Sequence, residues 1–200
     1  MSPVSFWRRW RDEQAQRRQA AMYVAALARE PDDADVAWLA AHDRARDADH
    51  ARWELRYARR VLGLLVAERD ALDDRTASLV GRALASSLRA DRNVAPGKLA
   101  VAEQQLNARL GAYGDALRRR GGEVTGARLG RTLLDFVSGA GSSHDAAALA
   151  QGGELLSRYI DEANEALRSC FGAAMLPEGV RPSVAAGGGT IGGAPGSAPA

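Results

Sequence analysis

From Ala41 onward, small and apolar residues recur at Ala48, Ala51, Leu55, Ala58, Leu62 and Leu65, each three, four or seven positions after the last. Only a helix of about 3.6 residues per turn brings such positions onto one face. The spacing returns at Leu99, Ala102, Leu106, Leu110, Tyr113 and Leu117, and again at Leu149, Leu156, Ile160, Ala163, Leu167, Cys170 and Ala174. No stretch alternates apolar and polar residues between turn signals, as a half-buried strand would. Near-heptad seams of alanine and leucine on successive segments predict an all-α, elongated antiparallel helical bundle of about six helices. Small seam residues let the helix axes approach closely.

Glycine, proline and aspartate punctuate the chain. The first helix spans about 4–29 and stops before Pro31; Asp32 or Asp33 caps the next, whose seam runs on to about residue 69. That second helix, some 35 residues long, would measure about 50 Å. A compact chain of this length is only about 40 Å across, hence the expectation of an elongated or subunit-sharing molecule. Further helices are predicted over about 72–90, 98–120, 125–138 and 145–174, the last capped by Ser142 or Ser143. Gly126 and Gly130 form a small-x-x-x-small pair suited to a close helix crossing. The reading divides the chain into an N-terminal amphipathic helix (1–30), a bundle (31–176) and a Gly/Ala/Pro-rich segment (177–200) expected to be disordered. ALAREPDDADVAWLA, residues 26–40, resembles the helix–Pro-Asp–helix junction of tetratricopeptide repeats. No second copy follows at a period of about 34 residues, so the resemblance implies a helix–turn–helix junction there.

Composition narrows the function classes. Hydrophobic residues make up 46% and aromatic residues 6%, which suits thin helical interfaces. A net charge of +2 supplies no broad drive toward nucleic acid. Of 27 basic residues only Lys98 is a lysine. A lone cysteine, Cys170, cannot close an internal disulfide and reads as a small buried hydrophobe. With no apolar run near the roughly 18 residues of a membrane span and no secretory signal pattern, a cytoplasmic location is expected.

HDRARDADHARWE, residues 42–54, holds two of the three histidines among four carboxylates. On one continuous helix Asp43, Asp47, His50 and Glu54 would share a face on the flank of the seam. They are the weak metal candidates, a hard-cation set needing further ligands. No glutamate is followed three residues later by histidine, so the di-metal pattern of four-helix bundles is missing. Arginines 44, 46 and 52 stand three residues from aspartates, in pairs worth a few tenths of a kcal/mol each, as on a solvated face. The expectation is a wet helix side, with alanine and leucine making the only interior.

SSHD at 142–145 sets serine, histidine and aspartate side by side, where a catalytic triad needs them to converge from separate positions. Neither a nucleophile elbow nor a phosphate-binding or dinucleotide-binding glycine pattern is complete. No cofactor is expected. SFWRRWR is the exception to this plain pattern, since Phe6, Trp7 and Trp10 share one broad side with Arg8, Arg9 and Arg11 interleaved. Such a segment folds back on the bundle, docks into a partner groove or lies in a membrane interface. These features predict a non-enzymatic interaction or scaffold protein, homo-oligomeric or docked to a protein partner. The alternatives are a peripheral membrane- or granule-surface protein adhering through residues 5–11 and, below it, a metal-dependent bundle enzyme.

Overall fold

The computed structural model describes residues 3–70, 74–119 and 121–172, apart from the side chains of residues 3–6, 8 and 9. Within them the chain forms seven helices and no strand: α1 (Pro3–Leu27), α2 (Asp33–His42), α3 (Ala48–Asp70), α4 (Asp74–Arg89), α5 (Leu99–Arg118), α6 (Thr125–Ser138) and α7 (Ala146–Phe171). The segment 177–200 expected to be disordered lies outside the described residues.

One long helix became two. Asp43 ends α2 in an extended conformation (φ −75°, ψ 137°), and its Oδ1 accepts the Ala45 N–H at 2.9 Å. Asp47 then accepts the N–H groups of Asp49 and His50 at 2.8 and 3.2 Å, which starts α3. Short carboxylates offer the backbone an alternative to the helical ladder, and two of them bracket this turn. Arg46 between them adopts a positive φ of 51°. Ala41 and Ala48, expected in the seam, are exposed as a result, while Ala51, Leu55, Ala58 and Leu62 are buried. The length argument for an elongated shape thereby loses its helix: α3, at 23 residues, measures about 35 Å.

Helices α3 and α7 string together two apolar clusters. In the first, Leu39 of α2, Leu55 and Leu62 of α3, Tyr113 of α5, Leu133 of α6 and Leu156 of α7 meet. The second joins Tyr23 and Leu27 of α1 with Val66, Val80, Leu84 and Leu167. Leu106 and Ile160 pack against both. Cys170 is half-buried beside the second cluster, and burial pushes its thiol up.

The glycine pair of α6 does mark a close crossing. Gly130 lies opposite Leu149 and Gly126 opposite Gly153, an antiparallel pairing in which backbone meets backbone. At the entrance to α7 the cap is Asp145, whose carboxylate accepts the Ala148 N–H at 2.6 Å, and neither expected serine serves. Ser142 donates instead to the carbonyls of Ser138 and Gly139. His144 Nε2 stands 3.3 Å from Asp135 Oδ1 and 3.4 Å from Ser138 Oγ of α6, away from its sequence neighbours Ser142, Ser143 and Asp145.

Candidate functional site

The stretch expected to be a wet helix side is wet at residues 44–49 and turns inward at both ends. Asp43 is buried and Glu54 is 2% exposed, whereas Asp47 is exposed and the His50 side chain is 40% exposed. Breaking the long helix causes this, because the turn swings Asp43 back against the first turn of α3. His50 Nδ1 meets Asp43 Oδ2 at 2.8 Å, and its Nε2 stands 3.5 Å from Glu54 Oε1. Burial pushes the Asp43 carboxyl up, but the Ala45 N–H and the His50 ring outweigh it and hold the group below the usual carboxylate range.

Glu54 is neutralised from another helix. Arg109 of α5, 6% exposed, donates from both Nε and Nη2 to the two carboxylate oxygens, the Nε bond being 3.0 Å. Its Nη1 donates to the backbone and side-chain oxygens of Gln105. The guanidinium lies 4.2 Å from the Phe136 ring centre and 5.4 Å from that of Tyr57. A planar, delocalised cation tolerates such a dry position better than an ammonium would. Asp43, His50, Glu54, Arg109 and Gln105 thus form one continuous polar chain. Tyr113, fully buried nearby, has its hydroxyl pushed far up by burial and by the Glu54 charge.

Two more arginines of α3 are interior. Arg59 pairs with Glu162 at 3.1 Å and covers the Tyr159 ring at 4.2 Å; burial pushes the Tyr159 hydroxyl up to about 12 despite that cation. Arg60 pairs with Asp91 at 2.6 Å. The expectation that alanine and leucine make the only interior is therefore corrected: charged side chains, each with a partner from outside its own helix, complete it. The expected intrahelical arginine–aspartate pairs give way likewise, since Arg52 reaches Asp33 of α2 at 3.2 Å and Arg44 reaches Ser142.

The hard-cation set is not assembled. Asp47 spends its carboxylate on its own backbone, Asp43 on Ala45 and His50, and Glu54 on Arg109. Among the described residues no group of three or more His, Cys, Asp or Glu side chains converges to hold a metal. His42, which faces the Trp38 carbonyl at 2.9 Å, stays apart. The polar chain instead floors a cleft of about 470 Å³ between α3, α5 and the segment before α5.

Asp43 sets a pH dependence. Its folded-state affinity for a proton is weaker than that of the unfolded chain, so it contributes stability above the ordinary aspartate range, about pH 3.9, and loses it as pH falls further. Asp43→Asn is expected to flatten that part of the acid limb in urea unfolding measured from pH 5 down to pH 2. An unchanged limb would show that the carboxylate is not held in this way.

The second candidate surface is on α1. Ala20, Tyr23, Val24 and Leu27 point into the second cluster, and Tyr23 donates to the Gly63 carbonyl at 2.7 Å. At 100° per residue Trp7, Trp10, Arg11, Arg18 and Met22 fall on the opposite side, and all are exposed. Trp7 is 58%, Trp10 48% and Met22 63% exposed, and the two indoles touch edge to face at 6.0 Å. Both tryptophans thus keep about half of their surface open. Phe6, Arg8 and Arg9 fall among the side chains left undescribed. Asp12 and Glu13 are both off this face, and Glu13 pairs with Arg17 at 2.8 Å.

Comparison with protein-family models, with curated proteins and with solved structures finds no match. No described helix is long and apolar enough to cross a membrane.

Proposed function

We propose that this chain is a non-enzymatic helical docking protein whose contact surface is the outward face of α1. The observation that carries the reading is the exposure of Trp7, Trp10 and Met22 on a helix whose opposite face is anchored in the core. Large aromatics in water forgo burial worth about 2–3 kcal/mol each, and their contiguity marks an interaction patch. Arg11 and Arg18 border it without an intervening carboxylate, so the fitting partner is a protein presenting an apolar groove with an acidic rim. The bundle supplies a rigid base.

The test is affinity capture by the full chain, followed by measurement of the recovered complex with Trp7→Ala/Trp10→Ala. Loss of two such anchors is expected to weaken binding at least a hundredfold, by about 1.4 kcal/mol per tenfold. Capture that ignores the substitution, or a chain that is monomeric and recovers nothing, would sink the proposal. The tryptophan–arginine composition favours one second reading, an anionic membrane surface. Flotation with phosphatidylserine vesicles, abolished by the same double substitution, would transfer the surface to that reading.

A further inference from the structure

A groove of about 680 Å³ lies between α6 and α7, with no residue of α1 or α5 in its lining. Its apolar floor is made of small residues, Gly126 and Ala127 of α6 and Ala146, Ala150 and Gly153 of α7. Such a floor leaves room for large side chains from outside. Three carboxylates, Glu123, Glu154 and Asp161, line the groove beside one cation, Arg158. Arg158 is turned to Asp35 of α2 at 2.5 Å, and Glu123 pairs with Arg131 at 2.7 Å. That leaves Glu154 and Asp161, both exposed and in no ion pair among the described residues.

The outward face of α1 complements this groove in both charge and size. Arg11 and Arg18 are exposed, in no ion pair among the described residues, and seven residues apart, as Glu154 and Asp161 are. That spacing puts each pair on one side of its helix, about 10 Å apart. Let α1 of one copy lie parallel to α7 of another, with Arg11 level with Glu154. Arg18 is then level with Asp161, Trp7 with Ala150, Trp10 with Gly153 and Gln14 with Ser157. Large rings meet the smallest residues of the groove, and each unpaired cation meets an unpaired carboxylate. The antiparallel orientation keeps the charges matched but sets Trp7 and Trp10 level with Glu165 and Glu162, outside the lining. Ala20, Tyr23, Val24 and Leu27 hold the opposite face of α1 in the second cluster, so its outward face cannot turn onto α7 of the same copy.

Resting on the docking role of α1, we infer that its partner is a second copy of this chain. Trp7 and Trp10 of one copy enter the α6–α7 groove of the next, and Arg11 and Arg18 pair with Glu154 and Asp161. The contact joins two different surfaces. Exchanged both ways it closes a pair; otherwise it adds copies in a row.

The experiment is analytical ultracentrifugation of the full chain over a concentration series, with two variants. Trp7→Ala/Trp10→Ala removes the rings and leaves the groove; Glu154→Arg/Asp161→Arg reverses the charge of the groove and leaves α1. The wild type is expected to self-associate at micromolar concentration, and each variant to do so at least about tenfold more weakly. Mixed in equal amounts, the two variants are expected to form a one-to-one pair more tightly than either associates alone. Each then supplies the surface that the other lacks. Arg11→Glu/Arg18→Glu combined with Glu154→Arg/Asp161→Arg in one chain is expected to restore association. A monomeric wild type, association indifferent to Glu154 and Asp161, or variants that do not pair on mixing would overturn the inference. A monomeric chain that still captures another protein through Trp7 and Trp10 would overturn it too, while leaving the docking role of α1 standing.

Discussion

Arg109→Met is expected to lower the stability of the chain by about 3–5 kcal/mol, measured by urea unfolding at neutral pH. The substitution keeps the length and apolar stem of the side chain, so little packing volume is lost. What it removes is the partner of Glu54, a carboxyl 2% exposed that is left inside the protein without its cation. Two bonds from Gln105 oxygens lose their donor as well. The ion pair as a whole is a different matter, because desolvating two charges offsets most of their attraction. Glu54→Met/Arg109→Met is therefore expected to recover most of the loss, leaving a strongly non-additive double-mutant cycle. Equal losses in the single and double variants would mean that packing, not the uncompensated carboxylate, governs this position.

Gly130→Ala is expected to destabilise by about 3 kcal/mol, although alanine is the better helix former by about 1 kcal/mol. A Cβ built there would run into the Leu149 carbonyl oxygen and come within 3.0 Å of the Gly153 nitrogen. Both obstacles are backbone, so no rotamer change relieves them, and α6 and α7 must separate. Gly111→Ala is the internal control. It lies mid-way along α5, exposed, with nothing within 4 Å of its Cβ position, and is expected to stabilise by up to about 1 kcal/mol. Opposite signs for one chemical change, read as shifts in urea midpoint at constant slope, would verify the crossing. A neutral Gly130→Ala would show that the two backbones are not in contact.

The glycine pair of α6 marks how far the sequence can be read. Gly126 and Gly130 announced a close crossing because spacing along one helix is enough to place both on one side. Which helix lies opposite depends on a segment some twenty residues on, and spacing within α6 carries no information about it. Likewise the 3.6-residue recurrence identified the seams of α3, α5 and α7, and placed α6 at 125–138, within its own punctuation. It carried the second helix straight through Asp43–Asp47, because aspartate is only mildly unfavourable in a helix. The bonds that end α2 there arise from side chain to local backbone, and the pattern of apolar residues does not register them.

The candidate site was legible as a list and not as a place. Asp43, His50 and Glu54 stood out as ionisable groups close in the chain, and that much is true of their positions. Their burial could not be inferred, because a charged residue on a seam's flank is solvated by default and enters the interior only when a partner arrives. For Glu54 that partner, Arg109, is 55 residues away in the chain. Arg59, Arg60 and Arg109 were missed for the same reason. The one available signal was that α3 and α5 carry arginines adjacent to their seams.

Local sequence by itself determined that this chain is helical, where most helices lie, and which alanines and leucines of α3, α5 and α7 share a helix face, since each depends on interactions within a few turns. Tertiary structure alone decided which charges are buried and that two tryptophans remain in water. Those outcomes turn on long-range pairing, in which the cost of desolvating a group is met, or not, by atoms the neighbouring sequence does not contain.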